Sequence, residues 1–388
     1  MMQNLAIQKY LKEHGIEKTI LDFSLIFKIK DDLLLLKYDQ IESYKVRDTD
    51  EVKDCRGIIL DKNTYELKSL PFRRFFNLGE GCAEEIDWNT AKVFEKKDGS
   101  LIQNYYHNNQ WNIATSGTID ALTPVNNTDI NFRDLFIKAF NQSCSINWDV
   151  MCENYFNKDY GYYFELCTPY NIVVTPHDDF NVYILGIRNL KTNVEMNFSD
   201  IQLFANTYDL KTPKVYDFNN VDDILLSMTD LPYSEEGYVV CDDNFKRIKV
   251  KNPTYVAMHH LKGKMNAFNI MELVKSNEVD EFIATFPERT EEINNLYKTY
   301  EDFICFLDTE LDKLYNLLIK PNLSEISNIR KEYALAVLNL CSKEAELNFA
   351  KGFFFSAIDK KVSNAREWLQ KTDNKSLYNI LIKKNNTI

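Results

Sequence analysis

Lys96 opens the pentapeptide Lys96-Lys97-Asp98-Gly99-Ser100, the stretch with the most specific chemistry open to it. The spacing fits K-x-D-G, a pattern in which a lysine amine attacks the α-phosphate of a nucleotide. Such an amine must be unprotonated, whereas a free lysine is almost wholly charged at neutral pH. Desolvation or a nearby cation has to act on it. Lys97 is adjacent, but on a strand it points to the opposite face. The cations are therefore expected from bound metal or other lysines. Gly99 is expected to let the backbone turn tightly after the nucleophile. Taken alone, the tetrapeptide also makes an ordinary surface turn, so its partners decide its meaning.

Those partners come in order along the chain. Glu165 lies in Tyr163-Phe164-Glu165-Leu166, with Phe164 and Leu166 on the other face of the strand. Glu236 precedes Gly237-Tyr238-Val239-Val240, and Lys249 and Lys251 share one strand face, two residues apart. Upstream, Arg56 sits before Gly57, and Arg74 before Phe75-Phe76-Asn77. Two carboxylates suit Mg²⁺ and ribose hydroxyls. Two lysines and two arginines suit a triphosphate. Plainer readings stand beside these. Lys249 and Lys251 fit a solvent face equally well, and Arg56 fits a structural ion pair. Glu165 is harder to set aside, because a carboxylate buried without a partner is costly. His259-His260 has no further ligand at useful spacing and reads as packing at a domain junction. Tyr183 reads as a core aromatic on its strand rather than a base-stacking group.

The elements that must position these groups change character along the chain. Up to about residue 255, short apolar runs alternate with turn residues. Leu33–Tyr38, Gly57–Leu60, Lys92–Glu95, Leu101–Tyr106, Tyr162–Leu166, Val182–Ile187, Gly237–Cys241 and Arg247–Val250 read as strands. His107-Asn108-Asn109-Gln110 reads as the turn of a hairpin from Leu101–Tyr106 to Trp111–Thr115. Helices are expected at Gln3–Glu13 and Asn131–Phe140. Later, Ile304, Leu307, Leu311, Leu314 and Leu318 recur at helical steps. Further helices fit Ala267–Lys275, Ile326–Leu340, Glu344–Ala357 and Asn364–Gln370. The fold expected is α+β: residues 1–258 with antiparallel sheets and helices, then an all-α domain over 259–388.

Composition narrows the function classes. No apolar run reaches the roughly 18 residues of a membrane span. Met1–Gln8 has no secretory pattern, so a cytoplasmic location and no membrane partner are expected. The eight cysteines form no C-x-x-C pair, which argues against a zinc site and a disulfide framework. The formal charge of −12 disfavours wholesale coating of nucleic acid. Yet residues 351–388 hold eight bases against three acids, enough to contact phosphate locally, although a solvated helix face accounts for such a run as well.

Here the sequence resembles the phage-type RNA ligase 1 family, within the covalent nucleotidyltransferases. The resemblance is carried by Cys55-Arg56-Gly57, Arg74-Phe75-Phe76-Asn77-Leu78, Lys96-Lys97-Asp98-Gly99-Ser100-Leu101, Phe164-Glu165, Ile187-Arg188, Glu236-Gly237-Tyr238-Val239 and Lys249-Val250-Lys251. It covers roughly residues 34–260 and is specific in order and spacing. Beyond that, Asp280-Glu281, Lys331-Glu332-Tyr333-Ala334 and Ala350-Lys351-Gly352 are weaker likenesses. The resemblance implies a nucleotidyltransferase domain that uses ATP and Mg²⁺, with Mn²⁺ as an alternative. Lys96 would attack ATP to form lysyl-AMP, AMP would pass to an RNA 5′-phosphate, and a 3′-hydroxyl would displace it. Arg56 and Arg74 would orient the β- and γ-phosphates, and Phe76 would support the pocket. Glu165 would hold ribose and hydrated metal, Glu236 would act on metal, and Lys249 and Lys251 would grip the α-phosphate. Asp280 and Glu281 would hold a second metal, although a solvated helix end fits them equally well.

The implied partner is RNA, single-stranded or with broken tRNA anticodon-loop ends, in repair alongside a separate end-healing kinase-phosphatase. The helical domain would choose the RNA. The chain departs from the family at Ser116, where a basic residue usually precedes glycine, and at Arg74, which replaces a common lysine. Two rivals remain. A ligase of DNA or nicked duplexes is disfavoured because the chain beyond residue 260 reads as helical rather than as an OB-fold. A non-catalytic RNA-binding relative would have eroded the lysine or the carboxylates, and all are present.

Overall fold

The computed structural model describes residues 5–126, 128–232, 234–256, 267–285, 287–319 and 326–385. The chain divides into two compact units, Met1–His259 and His260–Ile388. His259-His260 falls outside the described residues.

In the first unit the period-two stretches become fourteen strands, which form three sheets among the described residues. One sheet has the order β1 (Leu25–Lys30), β2 (Leu33–Tyr38), β3 (Arg56–Asp61), β4 (Leu67–Ser69). The helix Ala6–Phe23 covers it, packing Ile7, Leu11 and Phe23 with Leu34, Leu36, Ile58 and Leu60. This stretch outruns the expected Gln3–Glu13. At Gly15 the backbone leaves helical geometry (φ 77°, ψ 173°), so the stretch is two helical segments joined across a kink, the first ending close to the expected Glu13. The edge strand β1 was not expected from the sequence. Ile26, Phe27 and Ile29 are all exposed, so it shows no clean in–out alternation.

The second sheet has the order β11 (Val194–Glu195), β10 (Asn181–Asn189), β9 (Tyr160–Cys167), β7 (Ser100–His107), β8 (Gln110–Thr115). The β7–β8 hairpin closes at His107↔Gln110. Asn108 and Asn109 both have positive φ, 50° and 60°, as a two-residue turn of matching twist requires. The helices Phe132–Ser143, Trp148–Asn154 and Phe198–Thr207 lie on one face, and the last two were not expected. Phe136, Phe140, Trp148 and Phe164 meet there edge-to-face or tilted at centroid distances of 5.3–6.0 Å.

The third sheet has the order β12 (Val215–Tyr216), β6 (Lys92–Glu95), β13 (Gly237–Cys241), β14 (Arg247–Lys251), β5 (Phe76–Asn77). Its strands are antiparallel except for β14 with β5. Val93, Tyr238, Val240, Ile248 and Val250 pack to one side with Ile224 and Met228. Strand alternation turns Phe94, Val239, Arg247, Lys249 and Lys251 to the other side. The α+β class and the antiparallel sheets are as expected.

The second unit is helical throughout its described residues. Its longest helix, Thr290–Leu314, buries Ile293, Leu296, Tyr300, Phe303, Ile304 and Leu307 on one stripe. The single helix expected over Glu344–Ala357 is two, Ala345–Phe349 and Lys351–Ile358, which meet at Ala350 (φ −82°, ψ 9°). The helices Val279–Thr285 and Asn374–Asn385 were not expected. No helix among the described residues is long and apolar enough to cross a membrane. All eight cysteines are free thiols.

Candidate active site

Lys96 lies in the link between β6 and β7, and sheet pairing decides what it meets. Its backbone N–H donates to the Gly237 carbonyl at 2.9 Å, extending the β6–β13 ladder by one bond. That brings its side chain beside Glu236. Lys96 Nζ lies 2.6 Å from Glu236 Oε2, and Lys251 Nζ lies 3.6 Å from Oε1. The β13–β14 register Gly237↔Lys251 delivers the second lysine. Gly237 is required here: its φ is 124°, and a Cβ would stand 2.2 Å from the Val250 carbonyl oxygen.

Glu165 arrives from the second sheet, opposite Leu101 in the β7–β9 ladder. Burial pushes its carboxyl up to about 8. Lys96 and Arg56 pull against this, while Glu236 and Asp98 add to it. All four charged groups are therefore within electrostatic reach of Glu165.

One expectation about the pentapeptide is corrected. Lys97 does not point away from Lys96. Both come after the end of β6, outside the strict alternation of a strand, and both line one cavity. Lys97 Nζ pairs with Glu95 Oε1 at 2.6 Å and lies 4.4 Å from the centre of the Tyr183 ring. Burial lowers its pKa, but the Glu95 hydrogen bond and charge more than compensate, so the net shift is upward. Gly99 lies at a bend, as expected, and it also allows close approach. A Cβ there would stand 2.3 Å from the Leu166 carbonyl oxygen. The Lys96 amine pairs with the Glu236 carboxylate, which also pairs with Lys251.

Asp98 holds the loop Lys96–Ser100. Its Oδ2 accepts from the backbone N–H groups of Val174 (2.9 Å) and Thr175 (2.6 Å). Its carbonyl lies 2.6 Å from His177 Nε2, and the buried Asn171 donates to Ser100 Oγ at 3.0 Å. This clamp was not legible in the sequence, because nothing at residues 168–177 marks them as partners of a loop seventy residues earlier.

The remaining basic residues divide. Arg56 Cζ lies 5.1 Å and Lys249 Nζ 5.6 Å from the Phe75 ring centre, so these two cations flank one aromatic. Arg74 lies over Tyr38 (4.1 Å) and Phe76 (5.2 Å); its Nη1 is buried without a hydrogen-bond partner, and burial lowers its pKa. Phe76 is buried and paired with Ile248 in the sheet. Ser116 packs on Gly57, where a Cβ would stand 2.7 Å from Ser116 Cα. The place where the family carries a base is thus one residue removed from Arg56. Arg247, two residues before Lys249 on the same face, also lines the cavity. The alternation Arg247-Ile248-Lys249-Val250-Lys251 was the signal that could have added it. Asp280 sits on the helix Val279–Thr285 of the second unit, and the side chain of Glu281 lies outside the described residues.

The cavity has a volume of about 760 Å³ and is bounded by Lys96, Glu165, Phe94, Ile184, Phe198 and Val239 among others. A volume of this order suits a small-molecule ligand. Apolar walls with lysine, arginine and carboxylate groups suit a base and ribose joined to phosphates. Among the described residues no group of three or more His, Cys, Asp or Glu can hold a metal. A carboxylate pair, Glu165 and Glu236, fits a hard cation shared with phosphate oxygens, rather than one caged by protein alone.

Comparison with known proteins covers the part of the chain that carries this cavity. The sequence profile of the RNA ligase family matches residues 54–255, the span from β3 to the end of the third sheet. The chain belongs to the RNA ligase family. An RNA ligase of Rhodothermus phage RM378 is 26% identical over 386 residues, 83% of this chain and 84% of that one. A protein of Autographa californica nuclear polyhedrosis virus named as a bifunctional polynucleotide kinase/RNA ligase is 30% identical over 314 residues. That match takes in 77% of this chain and 43% of the viral one, so the chain spans less than half of that relative's length. A solved archaeal ATP-dependent RNA ligase superposes with a TM-score of 0.45 at 11% identity, over 77% of this chain and 74% of that one.

Proposed function

We propose that this member of the family is an ATP-dependent RNA ligase that joins a 5′-phosphate to a 3′-hydroxyl through AMP carried on Lys96. The observation that carries the reading is Lys96 Nζ in the cavity wall, 2.6 Å from Glu236 and within the field of Glu165. In the first step the Lys96 amine, its proton lost, forms a bond to the α-phosphorus of ATP. The bond to the β-phosphate oxygen breaks and pyrophosphate leaves. The phosphoramide bond then breaks as an RNA 5′-phosphate takes the AMP, and an RNA 3′-hydroxyl displaces AMP to close the phosphodiester.

Each group has a task in this scheme. Arg56 and Lys249, flanking Phe75, would bind phosphate oxygens and neutralise charge as it moves onto pyrophosphate. Arg74 would reach the same oxygens from its seat over Phe76. Glu236 would orient Lys96 and Lys251. Glu165 and Glu236 would hold Mg²⁺, or Mn²⁺ in its place, which when bound neutralises phosphoryl oxygens as a Lewis acid. The helical unit would select the RNA, with broken tRNA ends and a separate end-healing kinase as the biological setting. Asp280 and Glu281 would add a second cation contact.

The test uses the full chain, ATP radiolabelled at the α-phosphate, Mg²⁺ and a denaturing gel. A labelled band is expected, and it should vanish in Lys96→Ala. No band, or a band that survives the substitution, sinks the covalent mechanism.

A further inference from the structure

Two residues of the cavity wall, Glu195 and Arg247, have no part in the chemistry above. Glu195 ends β11 at the edge of the second sheet, and Arg247 opens β14 in the third. Glu195 Oε1 accepts from Arg188 Nη2 at 2.6 Å and from Arg247 Nη1 at 3.1 Å, while Oε2 accepts from Arg247 Nη2. Arg188 reaches on to a third segment, donating from Nε to the Leu70 carbonyl (2.9 Å) and from Nη2 to that of Pro71 (3.4 Å). Arg247 also lies 4.7 Å from the centre of the Phe72 ring. The three side chains are nearly enclosed, at 6%, 10% and 14% exposure.

A buried arginine–carboxylate–arginine cluster is a poor way to gain stability, since apolar side chains of similar volume often do as well. What it supplies is direction: each guanidinium reaches the carboxylate only from a fixed angle. The segments it ties together carry the phosphate-facing groups. Arg247, Lys249 and Lys251 share one face of β14 at steps of about 6.8 Å. Residues 70–72 run directly into Arg74, Phe75 and Phe76, and Phe76 pairs with β14.

We propose that Glu195 is a positioning residue for the nucleotide. Through Arg247 and Arg188 it sets the place of β14 and of residues 70–76 against the second sheet, and so the grip of Lys249, Lys251 and Arg74 on the phosphates. This rests on the ligase reading above. Lys96 pairs with Glu236 and lies within electrostatic reach of Glu165 without any contact to Glu195, so loss of the latch acts on ATP binding rather than on the attack.

The experiment measures the rate of Lys96 labelling against ATP concentration, with thermal melting, in full-length wild type, Glu195→Gln, Arg247→Lys and the double variant. In Glu195→Gln the KM for ATP should rise on the order of tenfold, with the limiting rate much less affected. Arg247→Lys keeps the charge but cannot bridge both oxygens, so it should shift KM the same way. The double variant should be no worse than the worse single one. A lowered melting temperature with unchanged KM, or additive effects in the double variant, overturns the proposal. Should Glu195→Gln fail to fold, an unchanged KM in Arg247→Lys is enough to overturn it. Wild type that takes no label on Lys96 removes the ligase reading and this proposal together; labelled wild type with insensitive variants removes only the latter.

Discussion

Glu165 is where the chemistry depends most on pH. Burial raises its carboxyl to about 8, so near neutral pH the folded protein holds a proton that an unfolded chain would release. The folded state therefore binds more protons than the unfolded state between the two values, and the free protein loses stability as pH climbs through that window. Glu165→Gln should reduce this slope in urea melts, most clearly between about pH 6 and about pH 8, above the range in which the buried Asp54 carboxyl, raised to about 6, contributes. The same residue has to be ionised to serve a cation. Labelling of Lys96 should thus rise with pH over that range, and in Glu165→Gln it should be roughly 100-fold slower with a shallower pH dependence. Chelation of divalent cations should stop labelling, and Mg²⁺ or Mn²⁺ should restore it. Residue types and order already pointed to Lys96, Glu165, Glu236 and the lysine pair. The Lys96–Glu236 ion pair was not legible, because it depends on the β6–β13 register rather than on either segment's own sequence.

At the scale of elements, Asp98 ties the loop Lys96–Ser100 to residues 174–175. Asp98→Ala leaves two inward N–H groups without their acceptor and should lower stability by about 2–4 kcal/mol in urea titration. Asp98→Asn keeps one acceptor oxygen and should lose less. The strands carrying the site were legible almost to the residue, since apolar alternation is a local signal. Elements that local pattern did not reveal include β1, exposed on both faces, and the short helices Trp148–Asn154 and Val221–Ser227, too brief to show a period. The split at Ala350 was hidden because both flanking pieces are helical.

At the scale of the whole molecule, the two units are expected to divide the work. A chain ending at residue 259 should still take label on Lys96, since every group placed around the cavity belongs to the first unit. It should seal single-stranded and tRNA-like substrates without the preference of the full chain. Equal preference in sealing assays of the two forms would refute the role proposed for the helical unit. By itself the sequence determined the α+β class, the change to helices after residue 260 and the set of charged groups able to serve a nucleotide, because period, turn chemistry and residue type are local properties. Only the tertiary structure decided that Lys96 and Lys97 share one cavity, that Asp98 is a clamp, that Gly99 answers to the Leu166 carbonyl, and that Glu195 joins two sheets. Each of these depends on strands far apart in sequence meeting in one register, and a pattern along a single strand carries no information about its neighbour.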